Sequence, residues 1–118
     1  MGRKRVAIIV DHSPLNTEKA SEGLRMAVGQ TMADNQITVL LLDAGVWASA
    51  PMRPAAVKGG ELKKHIDTLI LLKHQVWAEE ESLRQFGISR DQLLPGVEVV
   101  PRRQVEEELA AAEAVIRF

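Results

Sequence analysis

Val76 to Gly87 reads VWAEEESLRQFG. Three apolar residues lead into three carboxylates, Glu79, Glu80 and Glu81, and a helical stretch then closes on a glycine. A short apolar run opening directly into a helix reads as a buried strand at the start of a crossover. We expect a strand over 75–78, a short helix over about 80–86 and Gly87 as its C-cap.

The same grammar extends in both directions. Val6 to Val10, VAIIV, is a continuous apolar run rich in β-branched residues, the pattern of a strand buried on both faces. Ser13 is placed to cap a following helix, with Pro14 at its first position. Ala20, Leu24, Ala27, Val28 and Thr31 lie on one face of that helix, which Asp34-Asn35 is expected to end. Gly23 and Gly29 weaken it, and close approach to a sheet is the expected compensation. Ile37 to Leu42 is a second buried strand, and Asp43-Ala44-Gly45 turns the chain. The stretch from Gly45 to Gly60 contains Pro51, Pro54 and a glycine pair, and reads as a long loop of the binding or interface kind. Leu62, Ile66, Leu69 and Ile70 stripe a second helix, opposite Lys63, Lys64 and Asp67. Val97 to Val100 is strand four. Val105 and Leu109 mark a fourth helix, on which Glu106-Glu107-Glu108 reads as a solvated face. Ala114 to Phe118 is a last strand. Alternation of this kind predicts right-handed crossovers and a three-layer α/β/α sandwich, with a mostly parallel sheet of about five strands.

Composition narrows the function. The chain has 118 residues, 46% of them hydrophobic, enough for one domain over 1–118 with its own core. A net charge of −1 leaves no basic excess to neutralise phosphates, so nucleic acid is not an expected partner. The Arg3-Lys4-Arg5 cluster reads as a solvated terminus. There is no cysteine, which removes disulfides, thiolate nucleophiles, iron–sulfur clusters and Cys-ligated zinc. No secretory signal, myristoylation signal or apolar span of membrane length is visible, and a cytoplasmic protein is the expectation. GxGxxG, GxxxxGK[ST], GxSxG and HExxH patterns are missing, so no cofactor and no metal are expected.

Five segments, in order, resemble the DsrE/DsrF-like sulfur-relay family, of the TusBCD and YchN type. They are His12 to Ala27 (HSPLNTEKASEGLRMA), Asp43-Ala44-Gly45-Val46, the third-strand segment above, Leu93-Leu94-Pro95-Gly96-Val97, and the ending EAVIRF at Glu113 to Phe118. The resemblance implies the α/β/α fold and a homo-oligomer, a trimer or a hexamer of two trimers. It also implies a role near intracellular sulfur transfer, with a sulfur-carrier protein as a partner. Sulfur-carrying members place a cysteine where Glu79 stands. A carboxylate cannot hold a transferable sulfane sulfur, so the resemblance points to a cysteine-less, non-catalytic or partner-binding member.

Residue chemistry supplies the competing reading. Ligands of open parallel sheets bind outside the carboxyl ends of the strands. That edge should collect Asp11, His12 and Ser13 after strand one, Asp43 after strand two, and Glu79 and Glu80 after strand three. A small-molecule or enzymatic site there would use Glu79 and His12 as an acid–base pair. The plainer alternatives are a helix-capping Glu79 and an exposed turn histidine at His12. Trp47, on the long loop, is either a ligand-stacking residue or, preferably, an oligomer anchor. Trp77 reads as core. His65 reads as helix surface, and His74 as a cation near a helix C-terminus.

Overall fold

The computed structural model describes residues 4–14, 19–50 and 59–118. Five strands, β1 (Lys4–Val10), β2 (Asn35–Leu41), β3 (Gln75–Glu79), β4 (Glu98–Val100) and β5 (Ala114–Arg117), alternate with four helices. These are α1 (Lys19–Gln30), α2 (Gly59–Leu71), α3 (Glu80–Gln85) and α4 (Arg102–Ala111). The strands form one sheet in the order β4-β3-β2-β1-β5, and every neighbouring pair is parallel.

The period-two alternation of the strands divides the core in two. Val6, Ile8 and Val10 of β1, with Ile37, Val39 and Leu41 of β2, face the layer built from α1, α2 and α3. Ala7 and Ile9, with Leu40 and Trp77, face α4. The first three connections therefore lie on one face of the sheet, and only the fourth crosses the other. This is the α/β/α sandwich expected from the sequence, with all of its strands parallel.

The predicted helix stripes hold in part: Val28 and Ile70 are half-buried, and Thr31 lies beyond α1. Ala20, Leu24 and Ala27 are buried on α1, and Leu62, Ile66 and Leu69 on α2, while Lys63, Lys64 and Asp67 are exposed. Gly87 follows α3 at φ +68, the left-handed conformation expected of its cap position.

Several details differ from the sequence reading. Residues 15–18, between Ser13-Pro14 and α1, lie outside the described residues, and so does the expected helix start there. Helix α1 ends at Gln30 rather than at Asp34-Asn35. Asn35 instead opens β2, and its Nδ2 donates to the Gln30 carbonyl at 3.2 Å, tying helix end to strand start. Gly23 does lie against the sheet layer, where a Cβ would come within 2.9 Å of Val10 Cγ2. Gly29 has open space around it, so close packing does not explain it.

The expected loop from Gly45 to Gly60 is interrupted by structure at both ends. Asp43–Ser49 forms a 3-10 helix and α2 opens at Gly59, while 51–58 lie outside the described residues. The acidic run of α4 is not uniformly solvated. Glu108 is 7% exposed and accepts the Arg5 guanidinium at 2.6 Å. His74 is no cation at a helix end. It is buried, and its Nδ1 accepts the Ile37 N–H at 3.1 Å, so that nitrogen carries no proton.

Candidate functional site

Parallel strands place all their carboxyl ends on one rim, and the polar residues expected there separate into two clusters. The first surrounds Glu79, the last residue of β3. Its place in the alternation, two after Trp77, turns it to the α4 face. It is 4% exposed, and both carboxylate oxygens are occupied. Oε1 accepts the Ser82 hydroxyl at 2.6 Å and Arg102 Nη2 at 3.1 Å, and Oε2 accepts Arg102 Nε at 3.2 Å. This is the two-pronged guanidinium–carboxylate arrangement.

The network extends further. Ser82 Oγ accepts the backbone N–H of Asp43 at 2.8 Å, and the Arg102 N–H donates to Glu81 Oε1 at 2.9 Å. Helix α3, the 3-10 helix and the first turn of α4 are thereby joined through one buried carboxylate. Glu79 occupies the N-cap position of α3, but its side chain makes no capping bond there. Its hydrogen bond, together with its charge, raises the Arg102 guanidinium above its ordinary value. A raised folded-state value stabilises below the unfolded one and is lost only as pH climbs through it. Arginine keeps its charge far above neutrality, so this contribution does not change across the neutral range.

The second cluster lies at the ends of β1 and β5. The Asp11 side chain is 7% exposed. Its Oδ2 accepts the Arg117 Nε–H at 2.8 Å and lies 2.6 Å from Nη2 in the same ion pair. Its Oδ1 is buried and has no hydrogen-bond partner among the described residues, although His12 Nδ1 lies 3.0 Å away. That nitrogen also lies 3.0 Å from the Phe118 carbonyl oxygen.

The remaining expected residues distribute around these clusters. Asp43 adopts φ 48, donates its backbone N–H to the first cluster, and adds its charge to those that raise Arg102. Glu80 bridges Arg84 at 3.3 Å and Arg90 at 2.8 Å on the surface. Ser13 is half-buried. Trp47 belongs to the 3-10 helix rather than a loop, and packs edge-on against Phe86 with ring centroids 6.3 Å apart. Glu79 and His12 are not brought together. Strand β2 separates their strands, and no hydrogen bond or ion pair among the described residues joins them. Those residues also contain no group of three metal-capable side chains.

Sequence reasoning missed Ser82, Arg102 and Arg117. A signal existed for each. Ser82 stands one helical turn after Glu79, Arg102 follows the strand that borders β3, and Arg117 ends the strand that borders β1.

A wholly parallel sheet in this strand order, with carboxylates from two strand ends on one rim, defines a class of small α/β/α proteins. The DsrE/DsrF-like family model matches residues 4–118, and the chain belongs to that family. Its structure is similar to the ychN protein from E. coli, with TM-score 0.86 and 19% identity over 98% of this chain and 99% of that one. It is also similar to MTH1491 from Methanobacterium thermoautotrophicum, described as a protein of unknown function. There the TM-score is 0.73 and the identity 24%, over 98% of this chain and 99% of that one. No curated protein sequence matches it. The sequence contains no cysteine, and no helix of the described residues is long and apolar enough to cross a membrane.

Proposed function

We propose that this chain is a cytoplasmic DsrE-like subunit that carries no sulfur itself and serves an intracellular sulfur relay by binding a carrier protein or supporting an assembly. The observation that carries this reading is the state of Glu79. In the sulfur-carrying members it resembles, this position needs an accessible thiolate. Here it holds a buried carboxylate with both oxygens committed to Ser82 and Arg102. Such a group holds neighbouring elements in register and leaves no lone reactive atom at the strand end. A homo-oligomer, trimeric or hexameric, fits the exposed apolar side chains at the opposite end of the molecule. Met32 is 90% exposed, and Leu71 and Leu72 are 79% and 49% exposed.

The test is to incubate the purified protein with a persulfide donor and weigh it intact. The mass should not change. A stable sulfur adduct would end the proposal.

A further inference from the structure

In the strand order β4-β3-β2-β1-β5, the chain steps from β1 toward β4 on one face and then returns to β1's other side through α4. The order reverses between β1 and β5. Open parallel sheets bind ligands outside the carboxyl ends of their strands. The Glu79 cluster lies two strands away. The residues at the reversal are Asp11, His12, Arg117 and Phe118.

Their chemistry is asymmetric. Asp11 Oδ1 is shut away from water, and an unpaired buried carboxylate oxygen is costly. Among the described residues, the side-chain nitrogen beside it is His12 Nδ1 at 3.0 Å. The other neighbour of Nδ1 is the Phe118 carbonyl, which can only accept. Both neighbours are acceptors, so the proton of the neutral ring sits on Nδ1 and Nε2 keeps its lone pair. The His12 side chain is 45% exposed and that of Arg117 is 73% exposed. Asp11 accepts the Nε–H of Arg117, and among the described residues no hydrogen bond takes up the other Arg117 side-chain donors. Gly45 closes this region from the 3-10 helix, since a Cβ there would overlap the Val10 carbonyl and lie 3.1 Å from the Asp11 Cα.

We propose that Asp11, His12 and Arg117 form a binding site for a small oxyanion that also carries an O–H group. Arg117 pairs with the anionic oxygens, and His12 Nε2 accepts the ligand's hydroxyl proton. Asp11 holds both residues in place. Inorganic phosphate, which keeps a proton at neutral pH, and a hydroxy acid share this chemistry.

Histidine ring resonances of the intact protein test it by NMR. The neutral His12 ring should show the Nδ1–H tautomer. Inorganic phosphate or glycolate should move its signals saturably, and whichever does so identifies the oxyanion class. Sulfate, which has no O–H at neutral pH, should bind at least tenfold more weakly. Arg117→Gln, a surface change that leaves the core intact, should abolish the saturable response, and His65 should not respond. An Nε2–H tautomer overturns the proposal. So does the lack of a saturable response to both probes, an equal response to sulfate, or a response that survives Arg117→Gln.

Discussion

The two carboxylates of the rim, Glu79 and Asp11, are almost equally buried and both pair with an arginine, yet they are left in different chemical states. Glu79 has a donor on each oxygen: a hydroxyl and a forked guanidinium give it three hydrogen bonds. Asp11 engages its arginine through one oxygen and leaves the other against an imidazole. Burial alone therefore does not separate a structural carboxylate from a functional one. What separates them is whether the local hydrogen-bond count closes, because a closed network holds elements together and an open one can still take a ligand.

The 3-10 helix is common to both regions, and its perturbation should have the largest effect. Gly45→Ala drives a Cβ into the Val10 carbonyl, a backbone group that cannot rotate away. The loss should reach or exceed the roughly 3 kcal/mol upper range of overpacking, and denaturant unfolding would measure it. Gly23→Ala should act on one region only. Its Cβ would meet Val10 Cγ2 at 2.9 Å and the Phe118 ring at 3.2 Å, beneath the β1–β5 end. A net loss of about 1 kcal/mol is expected after the gain in helix propensity. The His12 resonances should shift while Arg102 keeps its Glu79 contact. Gly29→Ala is the smallest change and touches neither region. With nothing within 4 Å, it should stabilise the fold by about 0.4–1 kcal/mol. A loss there would show that α1 is packed more tightly than described.

The fold was legible because periodicity and burial share one cause. Continuous runs such as Val6 to Val10 are apolar because helices cover both faces of the strand, and the stripe at Leu62, Ile66 and Leu69 exists because only one side of α2 is buried. The rim was legible as a place but not as an arrangement. Asp11, His12 and Glu79 were locatable because strand ends announce themselves. Their partners Arg102 and Arg117 lie 23 and 106 positions away in sequence. No local pattern encodes which long flexible arginine folds back on which carboxylate. The same limit hid Glu108. Its sequence neighbours are solvated, and only the proximity of Arg5 across the sheet face makes its burial tolerable.

The contrast between the two rims is tested most directly by unfolding Glu79→Ala and His12→Ala in parallel with the parent protein. Truncating Glu79 strands the fully buried Ser82 hydroxyl, at a cost of about 1–3 kcal/mol before the loss of the Arg102 link is added. Removing the half-exposed His12 lets water in and should change stability by no more than about 0.5 kcal/mol. A Glu79→Ala protein as stable as the parent, or more so, would mark a carboxylate kept for chemistry at the expense of the fold, and would contradict the structural role assigned to it.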